Sequence, residues 1–183
     1  METVVVYKSK TGFTNKYANW LSEALNCDLV EVSKAEINRI AHYDTVIYGG
    51  GLYMVGINGI NFLRSNMDKL KASNIIVFAT GATPDREEVI EDVVNANFTV
   101  EQKKQIKTFY LRGGFNFDEM RVGDKILISL LKVKIKMKKN PSADERGIVA
   151  AITHPVDFTK KSNIEKIVGY VNSLDTTDNI EIK

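Results

Sequence analysis

The fold of this chain is decided by Val5 to Leu21, VVYKSKTGFTNKYANWL. The stretch begins with a β-branched run that is typical of a buried strand. It continues through a turn that contains hydroxyl side chains and one glycine. From Tyr17 onward, apolar residues recur at the spacing of an amphipathic helix. A strand, a turn and a helix in this order predict the start of an α/β fold.

Strand-like and helix-like patterns alternate along the rest of the chain. The predicted strands are Thr3 to Tyr7, Cys27 to Val32, Asp44 to Gly51, the apolar run that begins at Asn74, and Lys107 to Phe117. The predicted helices begin near Tyr17, Ile60, Arg86 and Asn163. This alternation predicts an α/β fold with a doubly wound five-stranded parallel sheet, whose ligand site lies outside the carboxyl ends of the strands.

Residues 118–159 form an extra stretch between the fifth strand and the last helix. A minimal five-stranded fold does not require this stretch. It contains no internal repeat and no Gly/Ser-rich linker. We therefore interpret residues 118–159 as an inserted segment within a single domain that spans residues 1–183.

The composition excludes several classes of site. The net charge of +2 argues against whole-surface binding to nucleic acid. Cys27 is the only cysteine, which excludes an internal disulfide, a cysteine zinc cluster and a CxxC redox pair. His42 and His154 lack metal-ligand spacing, so we expect no metal site and assign no catalytic residue. The N-terminus, METVVVY, does not resemble a signal peptide, and we expect a cytoplasmic protein.

The turn after the first strand has the residues of an anion site. Backbone N–H groups at a helix start lack partners inside the helix and carry the positive end of its dipole. Hydroxyl side chains add donors, and Gly12 allows the backbone to curl closely around an anion. The candidate residues are Ser9, Lys10, Thr11, Gly12, Phe13 and Thr14. From the residues alone, an ordinary helix cap remains an equally good interpretation.

The whole stretch is similar to the signature of flavodoxins. That signature constrains apolar, aromatic, hydroxyl, small, alanine and aliphatic positions at fixed spacing. Every constrained position matches, through Val5, Val6, Tyr7, Ser9, Gly12, Thr14, Ala18 and Leu21. The resemblance implies a flavodoxin-like sheet, FMN as the cofactor, and a turn that holds the terminal phosphate of FMN.

Two later loops gain roles from this resemblance. In flavodoxin-like proteins, the loops after the third and fourth strands lie on either side of the isoalloxazine ring. The matching residues are Gly50, Gly51, Leu52 and Tyr53 after strand three, and Thr80, Gly81, Ala82 and Thr83 after strand four. Tyr53 has a planar ring that suits stacking on the flavin. The alternatives are ordinary surface turns and, for Tyr53, a packed aromatic side chain.

The region from Arg112 to Ser142, RGGFNFDEMRVGDKILISLLKVKIKMKKNPS, resembles the menaquinone-dependent protoporphyrinogen oxidase family. The residues that fit this outline are Gly113, Gly114, Asp124, Ile126, Leu130, Met137, Lys138 and the pair Asp157 and Phe158. The resemblance implies an FMN-binding oxidoreductase that passes electrons to a quinone or a protein acceptor, with protoporphyrinogen as the most concrete substrate. The alternative functions are a flavodoxin-like electron carrier without its own substrate and a scaffold that has lost flavin.

The segment Lys125 to Lys139 contains six lysines and no acidic residue. The lysines alternate with aliphatic residues, so a helix here would carry lysines on one side and aliphatic side chains on the other. Such a helix suits peripheral contact with the inner face of a membrane or with an acidic partner. The alternative is a solvated basic face whose apolar side packs on the domain. The end of the segment, KVKIKMKK, also fits a strand.

Overall fold

A parallel β-sheet forms the middle of the molecule. The computed structural model describes residues 1–70, 74–120 and 122–178. The strands are β1 (Thr3–Lys8), β2 (Asp28–Glu31), β3 (Thr45–Tyr53), β4 (Gly56–Ile57), β5 (Asn74–Gly81), β6 (Ile106–Arg112), β7 (Gly114–Phe115) and β8 (Val156–Asp157). Five of them are parallel, in the order β2, β1, β3, β5, β6, and β4 folds back on the end of β3. The predicted doubly wound sheet is confirmed.

Helices cover both faces of this sheet. They are α1 (Phe13–Leu25), α2 (Ile37–Ile40), α3 (Asn61–Arg64), α4 (Glu87–Asn97), α5 (Val100–Lys103), α6 (Val122–Lys136), α7 (Ala143–Thr153) and α8 (Glu165–Asp178), with 3-10 turns at Val32–Lys34, Met67–Leu70 and Lys161–Ile164. Val4 and Val6 pack into one core, which includes residues of α2, α3 and α4. Val5 faces the opposite core, which includes residues of α1 and α8. β1 is therefore buried on both faces, as its β-branched run predicts.

Several predicted boundaries differ from the structure, most clearly at the fifth strand, the third strand and the helix from Ile60 to Leu70. The fifth strand of the sheet, predicted to continue to Phe117, ends at Arg112. Gly114–Phe115 forms a separate strand that pairs antiparallel with Val156–Asp157. Gly114 allows this close crossing, because a Cβ there would lie 2.3 Å from the carbonyl oxygen of Val156. The third strand, predicted to end at Gly51, continues through Tyr53. The predicted helix from Ile60 to Leu70 is divided into α3 and the 3-10 turn that follows it.

The inserted segment contains two helices, α6 and α7. α6 continues through Lys136, so the strand interpretation of KVKIKMKK is wrong. α7 begins with a capping box in which Ser142 Oγ accepts from the Glu145 N–H and Glu145 Oε2 accepts from the Ser142 N–H. Arg121, directly before α6, lies outside the described residues. No helix in the described ranges combines the length and the apolar content that crossing a membrane requires.

The apolar side of α6 is only partly covered by the domain. Ile135 is buried. Seven large apolar side chains on the same helix and just beyond it are exposed: Val122, Ile126, Leu127, Leu130, Leu131, Val133 and Met137. The expectation that the apolar side of this segment packs on the domain is therefore wrong for these residues.

Candidate functional site

The turn after β1 presents an uncapped helix start. Gly12 is the N-cap of α1 and has φ +85°, a left-handed conformation that glycine adopts without strain. No side chain caps the first turn of α1, and that turn contains no acidic residue. The interpretation of this turn as an ordinary side-chain cap is therefore wrong. Its N–H groups remain directed toward the space in front of the helix, where they suit an anion.

Ser9 supplies a second feature of an anion site. Its Oγ is buried from solvent, and it has no hydrogen-bond partner among the residues that the structure describes. A buried hydroxyl without a partner costs free energy, on the order of 1–3 kcal/mol. A ligand that accepts from Ser9 Oγ would recover this cost.

A buried hydrogen bond joins the turn after β1 to the end of β5. Thr14 Oγ1 lies 2.6 Å from Thr80 Oγ1, and both side chains are buried. Gly51, at the end of β3, lies against this pair, because a Cβ there would be 3.2 Å from Thr14 Oγ1. The three predicted loops therefore meet at one point on the carboxyl edge of the sheet.

The second predicted loop, Gly50 to Tyr53, is not a loop: these residues are the last four of β3, directly before the hairpin that leads to β4. Asn97, on α4, is buried and holds this hairpin: its Oδ1 accepts from the Ile57 N–H at 2.9 Å, and its Nδ2 donates to the Val55 carbonyl at 2.7 Å. Gly50 must be small here, because a Cβ would lie 2.4 Å from Ile57 Cγ2. Gly50 thus allows the hairpin to fold back.

The third predicted loop, Thr80 to Thr83, is held by the end of β6. Tyr110 Oη donates to the Thr83 carbonyl at 2.7 Å, and the Gly113 N–H donates to the Gly81 carbonyl at 2.7 Å. Burial raises the pKa of Tyr110 to about 12, so the phenol keeps its proton and remains a donor at neutral pH. Arg112 Nε donates to the Ala82 carbonyl at 3.3 Å.

The three loops open onto a cavity of about 580 Å³. Most of the predicted site residues line it: Lys10, Thr11, Phe13, Thr14, Gly51, Leu52, Tyr53, Thr80, Gly81, Ala82 and Thr83. Ser9, Gly12 and Gly50 are not part of the lining. Ser9 and Gly12 belong to the turn after β1. Gly50 allows the hairpin between β3 and β4 to fold back.

The inserted segment supplies the opposite wall, which the sequence interpretation did not include. From this segment the lining residues are Met120, Asp124, Leu127, Ile128, Leu130, Leu131, Lys134 and Ile148. The rest of the domain adds Met54, Asn58, Gly114, Phe115 and Asn116. Asp124, Leu127, Ile128 and Leu131 recur at the spacing of one helix face, and this spacing was the available signal in the sequence.

An ion pair joins the two walls of the cavity. Lys10 Nζ lies 3.0 Å from Asp124 Oδ2 and 5.0 Å from the centroid of the Tyr53 ring. Lys10 therefore contacts α6 and the end of β3 at once. Asp124 is the only acidic side chain among the lining residues that the structure describes.

A comparison with protein-family models finds one match, described as a flavodoxin domain, over residues 4–143. The match runs from β1 to the first residue of α7 and covers most of the chain. The chain belongs to this flavodoxin-domain family. Family membership indicates FMN as the cofactor, as the signature predicts. A search of curated proteins finds no match.

Solved structures with a similar arrangement are distant in sequence. The Trp repressor binding protein from Bacillus subtilis is 15% identical with a TM-score of 0.49, and the match covers 77% of this chain and 100% of that chain. A flavodoxin, WrbA-like protein from Agrobacterium tumefaciens is 17% identical with a TM-score of 0.44, over 68% and 87% of the two chains. Because the TM-scores are low, family membership rests on the family match.

The residues at the three loops fit FMN. The uncapped start of α1 and the unpartnered Ser9 hydroxyl fit a phosphate. A cavity of about 580 Å³ lies within the usual range for organic ligands. The partly exposed Tyr53 side chain lines this cavity and is available to contact a ring.

The Lys10–Asp124 pair predicts how α6 is held against the phosphate turn. In Asp124→Asn, the amides of α6 should exchange with deuterium up to about fivefold faster, because a partly exposed pair contributes up to about 1 kcal/mol. Hydrogen exchange measured by mass spectrometry tests this. Lys161→Gln removes the Lys161–Glu23 pair elsewhere and is the control. Unchanged exchange in α6 of Asp124→Asn would contradict the assignment.

Proposed function

We propose that this chain is an FMN-dependent oxidoreductase that passes electrons to a quinone or a protein acceptor. Protoporphyrinogen is the most concrete electron donor, as the resemblance of Arg112 to Ser142 to the menaquinone-dependent protoporphyrinogen oxidase family implies. One observation carries the proposal. The cavity continues from the three loops to apolar residues of α6 and α7, which supports contact between the flavin and an apolar partner molecule.

The phosphate of FMN binds in the turn after β1 in this proposal. The N–H groups at the start of α1 donate to it, and Ser9 Oγ provides a further donor. Lys10 contributes a positive charge at the edge of the same turn, where it already pairs with Asp124. Thr14 lines the same cavity, and its hydroxyl also pairs with that of Thr80.

The ring of FMN lies between Tyr53 and the loop Thr80 to Thr83 in this proposal. Both line the same cavity, and the backbone of the loop is fixed by donors from β6. The bound flavin supplies the electron transfer itself. The chain's own residues bind it, orient it and limit the access of water.

The wall formed by α6 and α7 supports an apolar planar partner molecule. Leu127, Leu131 and Ile148 give this wall its apolar character. Lys134 lies among the lining residues and can donate to a carbonyl or carboxylate oxygen. An apolar wall with a single cation suits a quinone, and it also suits a tetrapyrrole that carries carboxylates.

An electron carrier without its own substrate is the second candidate function. The small number of charged side chains at the cavity favours this candidate. Among the described residues, the lining contains only Lys10, Lys134 and Asp124 as charged groups, and neither histidine takes part. A carrier needs no proton donor or acceptor beside the flavin, and Met54, 86% exposed at the cavity, offers a contact surface for a redox protein.

Thr11 provides a test of the phosphate assignment. Thr11→Glu should weaken FMN binding by at least about tenfold, because a carboxylate about 5 Å from a phosphate with nearly two negative charges is repelled by about 1.5 kcal/mol or more. Thr11→Gln is the matched neutral control and should lose much less affinity. Titration of the flavin-free chain with FMN, followed by flavin fluorescence, measures both. Equal affinities for the two variants would contradict the assignment, and failure of the unaltered chain to bind FMN would overturn the proposed function.

Leu131 provides a test of the acceptor compartment. Leu131→Asp should slow reoxidation of the reduced flavoprotein by a short-chain naphthoquinone about tenfold, because a charge in an apolar wall disfavours an apolar ligand. Reoxidation by ferricyanide, which needs no apolar compartment, should change little. Stopped-flow absorbance measures both rates, and Val100→Asp on α5 is the remote control. Equal slowing with both oxidants would contradict a quinone compartment, and absence of turnover with protoporphyrinogen would favour the carrier.

A further inference from the structure

An apolar stripe runs along the outward side of α6. It consists of Val122, Ile126, Leu130, Val133 and Met137, which are 74%, 59%, 62%, 55% and 82% exposed. The residues follow one another at intervals of four, four, three and four, which keeps them on one face of a helix. At about 1.5 Å per residue the stripe is roughly 22 Å long. An exposed apolar surface of this kind marks an interaction site.

The stripe is distinct from the wall of the cavity, although both belong to α6. Leu127, Ile128 and Leu131 line the cavity, whereas Ile126 and Val133 do not. On a helical projection these two groups occupy different sides of α6. Leu130 belongs to both groups, since it lies on the stripe and also lines the cavity. Leu127 and Leu131 of the cavity wall are also exposed, at 49% and 37%, so the wall and the stripe adjoin along this side of α6.

Lysines flank the stripe on both sides. On the helical projection, Lys134 lies on one side, and Lys125, Lys132 and Lys136 lie on the other. The segment from Lys125 to Lys139 contains no acidic residue to offset these charges. Two nearby carboxylates are paired: Asp124, in the first turn of α6, binds Lys10, and Glu145 of α7 binds Lys138.

The chemistry of this surface discriminates among its possible partners. A second copy of the chain, docked through the same stripe, would bring the two sets of lysines together and would be repelled. Protein interfaces are enriched in aromatic residues and arginine and depleted in lysine, whereas α6 contains four lysines, no aromatic residue and no arginine. Aliphatic residues bordered by lysines are typical of a helix that lies in the plane of an anionic bilayer.

We propose that α6 docks flat on an anionic lipid bilayer, with the apolar stripe in the boundary between headgroups and acyl chains. The lysines on both sides of the stripe bind the lipid phosphates. Docking of the stripe needs no flavin and does not rest on the proposed function. The consequence of docking for electron transfer does rest on the proposed function. Because Leu130 belongs to both the stripe and the cavity wall, an apolar acceptor dissolved in the bilayer reaches the cavity beside the lipid surface.

Vesicle sedimentation tests this proposal. The unaltered chain is mixed with phosphatidylglycerol–phosphatidylcholine vesicles or with pure phosphatidylcholine vesicles, at low and high salt. One variant, Ile126→Gln/Val133→Gln/Met137→Gln, removes the apolar side chains. A second variant, Lys132→Gln/Lys136→Gln, removes charge. None of these residues lines the cavity, and glutamine is compatible with a helix.

The control variant carries one apolar and two lysine substitutions of the same types, all away from α6. Val100→Gln replaces a valine on α5 that is 63% exposed, and Lys34→Gln and Lys104→Gln replace exposed lysines on other elements. The control has the same type of changes and a similar loss of charge. FMN titration and far-UV circular dichroism of all variants separate loss of docking from loss of the fold or of the flavin site.

The expected result is salt-sensitive binding of the unaltered chain to the anionic vesicles only. Each α6 variant should lose at least about tenfold in partition coefficient, since each lysine near an anionic surface and each buried aliphatic side chain contributes. The control should bind as the unaltered chain does. Absence of binding to the anionic vesicles would overturn the proposal, and binding to polyglutamate in that case would indicate an acidic protein as the partner. Equal losses in the control, or a dimer that dissociates in the apolar variant, would also overturn it.

Discussion

The hydrogen bond between Thr14 and Thr80 is the interaction on which the site depends. It is buried, it is 2.6 Å long, and it joins the start of α1 to the end of β5, with Gly51 of β3 packed against it. In a doubly wound sheet, the carboxyl ends of neighbouring parallel strands meet at one edge. The two hydroxyls fix the loops there relative to one another. The uncapped start of α1, the hairpin after β3 and the loop after β5 therefore face a common cavity.

The sequence contains enough information for the central sheet and for most of the loop residues. The β-branched run Val4 to Val6 predicts a strand that is buried on both faces, as the structure shows. The alternation of strands and helices along the chain then predicts the parallel sheet. The roles of individual residues were harder to predict. Gly50 and Thr14 serve the packing of loop against loop, which depends on contacts between residues distant in the sequence.

The second wall of the cavity could not be predicted in the same way. The face of α6 that meets the cavity is set by tertiary packing around Ile135 and by the Lys10–Asp124 pair, and local propensity does not encode either contact. The same packing leaves the outward stripe of α6 exposed. One helix thus combines a wall of the cavity with a lysine-flanked apolar surface.

The central claim is that the three loops hold FMN with its phosphate at the start of α1. A crystal structure of the chain with FMN tests this most directly. The account predicts phosphate oxygens within about 3 Å of Ser9 Oγ and of backbone N–H groups in the turn before α1. It also predicts the ring between Tyr53 and the loop Thr80 to Thr83. A phosphate bound away from this turn, or a flavin bound outside the cavity, would contradict the account.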